Sequence, residues 1–173
     1  MKRVLTLLVG LALSLVLIVL GVGAVLPAEH VATGSVALGS SPEQIWAVIS
    51  DYPDQPAWRK DLRSVMRLAD QNGHPVWRET YANGESMSYE TIEANAPYRL
   101  VRRIADADAP FGGSWEFTIR VTDGGTWTTI TELGSVPNPI YRFVSRFIIG
   151  HTKYLDQYLH ALAARMGGVA PFK

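Results

Sequence analysis

From Val4 to Leu26 the chain carries no charged side chain, a run of 23 residues behind Met1-Lys2-Arg3. A helix needs about 20 predominantly apolar residues to cross the hydrocarbon core of a bilayer. A chain that begins this way has its first element committed to lipid, and the rest is expected to hang from a membrane. A cleaved secretory signal has a shorter apolar core, about 7–15 residues. The small residues that could mark a cleavage site, Gly23-Ala24 and Pro27-Ala28, form only weak patterns. Length therefore favours an uncleaved, single-pass transmembrane helix. Lys2 and Arg3 hold the short tail in the cytoplasm. Residues 1–28 are read as cytoplasmic tip and anchor, and residues 29–173 as one extracytoplasmic domain, periplasmic or at the cell surface.

Setting aside Lys2 and Arg3, 14 Lys and Arg face 16 Asp and Glu. That small acidic excess argues against nucleic-acid or polybasic recognition. The absence of cysteine excludes disulfides, thiolate ligands and a cysteine nucleophile. Stability must then come from a packed core, which about 145 residues are enough to build.

The pattern predicts a strand over His30–Leu38. Ser41-Pro42-Glu43 then announces a short helix, with Ser41 as N-cap and Pro42 at its first position. Asp51-Tyr52-Pro53 ends it, and a second short helix carrying Trp58 is predicted within Pro53–Arg63. Period-two stretches follow at Ser64–Leu68, Pro75–Tyr81, Ser86–Ala94, Arg99–Ala105, Gly113–Val121 and Thr126–Gly134. Asn83-Gly84 and Gly124-Gly125 are read as two-residue hairpin turns. Asn138 is expected to cap one long helix, with Pro139 at its start, running to about Met166. Its stripe of Ile140, Val144, Phe147, Ile148, His151, Leu155, Tyr158, Leu159, Leu162 and Met166 falls at spacings of three and four.

Strand, two short helices, a meander and a long terminal helix describe an α+β chain in which a curved antiparallel sheet of about seven strands wraps a helix. With Ser41-Pro42-Glu43-Gln44-Ile45-Trp46, Asp51-Tyr52, Trp58, Ala96-Pro97-Tyr98-Arg99-Leu100-Val101 and Phe111-Gly112-Gly113-Ser114-Trp115 in this order, residues 33–166 resemble the helix-grip superfamily. That superfamily, often called SRPBCC, includes START lipid-transfer domains, polyketide cyclases and pollen-allergen-like proteins. The resemblance implies a cavity between sheet and helix for an apolar or amphipathic ligand. It brings no shared set of catalytic residues.

Chemistry is therefore sought in polar side chains on buried faces. His151 lies on the apolar stripe directly after Gly150. A core histidine satisfied by one hydrogen bond, or an edge residue at the cavity mouth, is the preferred reading over a proton carrier. With Gly124-Gly125 as the turn, Phe117 faces Glu132, placing Glu132 on one face with Trp115, Phe117, Ile119 and Ile130. His151 and Glu132 are the weak candidates for an acid–base pair. The rings of Trp58, Trp77, Tyr81, Tyr89, Trp115, Phe117, Phe147, Tyr154 and Tyr158 are core or pocket lining. The Asn83-Gly84 turn sets Trp77 and Tyr81 opposite Met87 and Tyr89, so the four are not expected to share a face. Arg102, Arg142 and Arg146 are read as solvated or salt-bridged. His30, His74, His151 and His160 show no metal-ligand spacing, and no cofactor fingerprint appears, so neither metal nor cofactor is expected.

Three classes of function remain. The favoured one is a membrane-tethered domain that binds or carries a lipid-like or polyketide-like molecule. A cyclase or dehydratase using the same cavity is the alternative, and a binding role is preferred to catalysis because the polar groups look scattered. A protein-interaction module is the third. The expected partners are the membrane and an apolar small molecule.

Overall fold

The computed structural model describes residues 2–167. Helix α1, Lys2–Val25, is a 24-residue apolar helix long enough to cross a membrane. Strand β1, Glu29–Leu38, follows, then the short helices α2, Pro42–Ser50, and α3, Gln55–Trp58. The meander comprises β2 Leu62–Arg67, β3 Val76–Tyr81, β4 Ser86–Asn95, β5 Arg99–Ile104, β6 Gly112–Thr122 and β7 Gly125–Ser135. The seven strands form one antiparallel sheet in the order β1-β7-β6-β5-β4-β3-β2. β1 closes it by pairing with β7 from Glu29 opposite Ser135 to Leu38 opposite Thr126.

Local chemistry sets these boundaries. The Ser41 side chain accepts from the Gln44 amide while the Gln44 side chain accepts from the Ser41 amide, a reciprocal cap that starts α2 behind Pro42. The second short helix is briefer than predicted, because Arg59 leaves helical backbone for an extended conformation.

The C-terminal segment differs more. Asn138 caps as expected, accepting from the Ile140 and Tyr141 amides. The expected single helix, however, is two. Helix α4, Pro139–Val144, passes into a π-helical turn over Ser145–Ile149, and helix α5 restarts at Lys153–Met166. The Gly150 amide bonds to the Ser145 carbonyl at 3.0 Å, five residues back, and Gly150 itself takes φ 82°, outside right-handed helix. The extra residue and the break rotate the first half of the apolar stripe out of phase with the second. Leu155, Tyr158, Leu159 and Leu162 face the sheet and are buried, whereas Phe147 is 58% exposed and Ile148 71%.

Both hairpin registers depart from expectation, with opposite consequences. In β6–β7 the turn is Asp123-Gly124, so Thr122 faces Gly125, Phe117 faces Ile130 and Trp115 faces Glu132. The shift is by two residues, and Glu132 keeps its predicted face. In β3–β4 the loop is three residues, Ala82-Asn83-Gly84, with Gly84 at φ 89°. Here the shift is by one, so Trp77 lies opposite Tyr89 and Glu79 opposite Met87. Trp77, Tyr81, Met87 and Tyr89 therefore share a face after all. The core between that face and α5 is built from Val36, Leu38, Ile45, Ile49, Leu100, Phe117, Ile119, Ile130 and the buried residues of α5.

Candidate functional site

Following the register from strand to strand defines the inner face of the sheet. It carries Trp77, Glu79 and Tyr81 on β3, Tyr89 and Thr91 on β4, Leu100 and Arg102 on β5, Trp115 and Phe117 on β6, and Ile130 and Glu132 on β7. Alternation alone puts an acid and a base into an aromatic interior.

At its centre the Glu79 carboxylate bridges two guanidinium groups. Arg102 Nη1 donates to Glu79 Oε1 at 2.7 Å, and Arg59 Nη1 donates to Oε2 at 3.0 Å. All three side chains are nearly inaccessible, at 2% for Glu79, 6% for Arg102 and 7% for Arg59. Arg59 Nη1 also donates to Gln55 Oε1 at 2.9 Å, and Nη2 to Asp61 Oδ2 at 2.8 Å. The Gln55 amide in turn holds the Ile49 carbonyl at 3.0 Å, tying α2 and α3 to the cluster. Tyr81 donates to Glu79 at 3.4 Å and shares a hydrogen bond with Tyr89, hydroxyl to hydroxyl, at 2.9 Å.

Rings cover what the hydrogen bonds leave open. The Arg102 guanidinium sits 4.5 Å from the Tyr52 ring centroid and 4.7 Å from that of Tyr89, and the Arg59 guanidinium 4.9 Å from that of Tyr158. Burial penalises the charge on Glu79, but Arg102 and Arg59 outweigh it and hold the carboxyl below its ordinary range. Burial likewise opposes the arginine charges, and their acidic neighbours, Glu79 for both with Asp61 added at Arg59, help to outweigh it, so both stay protonated. Burial pushes the Tyr89 hydroxyl up to about 12 and raises those of Tyr81 and Tyr158 as well. These phenols are donors at neutral pH. With Asp61 paired to Arg59, the cluster of Arg59, Arg102, Glu79 and Asp61 sets two guanidinium groups against two carboxylates and carries no net charge. Arg102 Nε and Nη2, Arg59 Nε and Trp58 Nε1 are buried and without a hydrogen-bond partner.

A second polar group lies where β1 begins. His30 Nε2 is 3.3 Å from Glu132 Oε1, and the His30 ring lies 4.0 Å from that of His151, tilted by 30°. His151 Nδ1 is 3.3 Å from the Ser145 hydroxyl on the π-helical turn. The two residues singled out in the sequence, His151 and Glu132, are therefore linked through a third, His30. Burial raises the Glu132 carboxyl, with His30 and Trp115 pulling the other way. Burial, then the neighbouring His30 and Arg146, lower His151. No group of three or more His, Cys, Asp or Glu side chains disposed to hold a metal ion occurs among the described residues.

The remaining candidate residues divide. Trp58, Trp115, Phe117 and Tyr158 pack on one another, with Tyr158 5.5, 6.0 and 5.3 Å from the other three rings. Trp77 stacks at 5.1 Å from Tyr52. Phe147 and Tyr154 stand apart from this group, 58% and 57% exposed, with Phe147 5.0 Å from Phe143. Sequence reasoning passed over Arg59, Glu79, Tyr52 and His30. The one signal that could have found Glu79 is its place between Trp77 and Tyr81 in a period-two strand.

The profile of the family described as polyketide cyclase / dehydrase and lipid transport matches residues 29–167. A search of curated proteins found no match. Among solved structures, a START superfamily protein from Mycobacterium smegmatis superposes with a TM-score of 0.60 at 20% identity, covering 80% of this chain and 97% of that one. The Zhui aromatase/cyclase of a Streptomyces species gives 0.63 at 13% identity, covering 80% and 94%. A major latex-like protein of Panax ginseng gives 0.63 at 11% identity, covering 81% and 99%. At these identities the structures share the fold.

Proposed function

Since the chain belongs to the polyketide cyclase / dehydrase and lipid transport family, we propose that it is a membrane-tethered binding protein for an amphipathic molecule. α1 is its transmembrane anchor, with the folded domain on the extracytoplasmic side. The ligand's apolar body lies among Trp58, Trp115, Phe117 and Tyr158, and its polar end meets Arg102. The observation that carries this reading is the pair of buried, unpartnered Arg102 atoms, Nε and Nη2. A buried donor without an acceptor is costly, and an oxygen-bearing head group would supply the acceptor. Tyr52 and Tyr89 cover the guanidinium, so ligand entry requires these rings to move.

Mass spectrometry of molecules copurifying with the detergent-extracted protein tests the proposal. One amphipathic species is expected at near-stoichiometric amount, lost in a folded Arg102→Met variant. Equal retention by that variant would remove Arg102 from the site. A reporter fused at the C-terminus that is active in the cytoplasm, or a mature chain starting near Glu29, would overturn the anchor and its orientation.

One observation favours a second reading. His30, His151 and Glu132 form a connected acid–base group beside the inner face, as a cyclase or dehydratase would use. His151→Gln separates the two readings. In a binding protein it shifts affinity modestly. In an enzyme it removes the about 10²–10⁴-fold that a general acid–base contributes.

A further inference from the structure

Helix α4 has a different neighbour from the rest of the C-terminal segment, because it packs on α1. The covered side of α1 is Val19, Val22 and Gly23, continued by Leu26 just past its end, one helical stripe. A Cβ built on Gly23 would lie 2.0 Å from the Pro139 carbonyl oxygen, so the two backbones touch there. Arg142 adds a polar clasp. Its Nη1 donates to the Leu26 carbonyl at 3.2 Å and the Gly23 carbonyl at 3.5 Å. Its Nε and Nη2 donate to the Val136 and Pro137 carbonyls at 2.8 and 2.7 Å.

This docking fixes the height of the segment. The 24 residues of α1 measure about 36 Å at about 1.5 Å per residue, against a hydrocarbon core about 30 Å thick. α4 lies beside the last two turns of α1. In a bilayer crossed by α1 those turns stand at the boundary between acyl chains and head groups. The side chains exposed at that level are the ones a boundary selects. Ile140, Tyr141, Phe147, Ile148 and Tyr154 are 44–71% exposed. Between Pro139 and Tyr154 the only charged side chains are Arg142, Arg146 and Lys153, with no Asp or Glu. An aromatic, cationic surface of this kind lies in the plane of a membrane interface, with basic side chains reaching the head groups.

We infer that residues 139–154 form a second membrane contact, seated in the interfacial layer of the bilayer that α1 crosses. The inference rests on the reading of α1 as a span. A lipid surface is the fitting occupant, because α1 holds this face at head-group level and its charge is of one sign.

The chain has no cysteine, so single labels can be placed in the full-length protein. Leu13→Cys, Ile148→Cys and Asn83→Cys each replace an exposed residue and carry an environment-sensitive fluorophore. The variants are reconstituted in nanodiscs of phosphatidylcholine and phosphatidylglycerol. Emission is read with a quencher on the lipid chains and with iodide in the water. Labels at 13 and 148 are expected to lose emission to the lipid quencher and resist iodide, with 148 the shallower, while the label at 83 does the reverse. A label at 148 as open to iodide as that at 83, with 13 in lipid, overturns the second contact and leaves the span. A label at 13 open to iodide overturns the span and the second contact together.

Discussion

Helix α5 and the segment formed by α4 and the π-helical turn each carry an apolar stripe in sequence and sit in opposite surroundings. Along α5, Leu155, Leu159 and Leu162 are fully buried against the sheet. About two turns earlier, Phe147 and Ile148 project outward. The only thing separating them is the pair of irregularities at Ser145–Ile149 and Gly150. Periodicity tells which residues share a side of a helix and says nothing about what covers that side. In α5 the cover is a β-sheet, and in the preceding segment we propose lipid.

The contrast breaks most sharply at the heart of the α5 side. Glu79→Gln leaves two buried guanidinium groups facing one neutral amide and is expected to cost about 3–5 kcal/mol in chemical unfolding, as loss of one partner in a buried ionic group does. The same loss is expected on acidification. The folded-state pKa of Glu79 is depressed, so its stabilisation is present above the ordinary carboxyl value and is lost as pH falls through the lower folded value. An unfolding midpoint unchanged down to about pH 3 would contradict this, given an unfolded value near pH 4.3.

Leu155→Ala is expected to cost about 2–5 kcal/mol, whereas Phe147→Ala in detergent should stay within about 0.5 kcal/mol. Equal effects on the unfolding midpoint would mean that both stretches pack on protein. Gly23→Leu drives a side chain into the Pro139 backbone and is expected to cost about 1–3 kcal/mol, the range for overpacked contacts. A single-cysteine label at position 141 should become more mobile in that variant. The smallest effect belongs to Glu132→Gln. Burial raises the folded pKa of Glu132, so its contribution is full below the ordinary carboxyl value and is lost as pH rises from there through the raised folded value. The variant should be level with or slightly above the parent at pH 7, and a clear loss of midpoint would show that the ionised Glu132–His30 contact stabilises the fold.

Much of the architecture could be read from short-range chemistry. The caps at Ser41 and Asn138, the proline that follows each and the period-two stretches all act within a few residues of themselves. The face of Glu132 survived a register error because the error was two residues, one full strand period. The face of Trp77 against Tyr89 did not, because Asn83-Gly84 could serve a two- or a three-residue loop and the choice inverts a face. The Arg59–Glu79–Arg102 group was out of reach for another reason. Its members are 20 and 23 residues apart, and only the assembled sheet, with the end of α3 placed against it, brings them together. His30 was passed over because its contacts with Glu132 and His151 depend on β1 pairing with β7 at the far end of the chain.

Arg142 would make α1, on its proposed reading as an anchor, more than a leash. With one guanidinium holding carbonyls at Gly23 and Leu26 on one side and at Val136 and Pro137 on the other, the domain cannot swing about residues 26–28 as about a free hinge. If α1 crosses a membrane as proposed, the domain's orientation to the bilayer normal is set once, at folding. Exchange of the proposed ligand would then depend on sliding within the plane of the membrane and on rotation about α1. Tumbling through bulk water would contribute nothing, and an acceptor would have to come to the same leaflet to meet it.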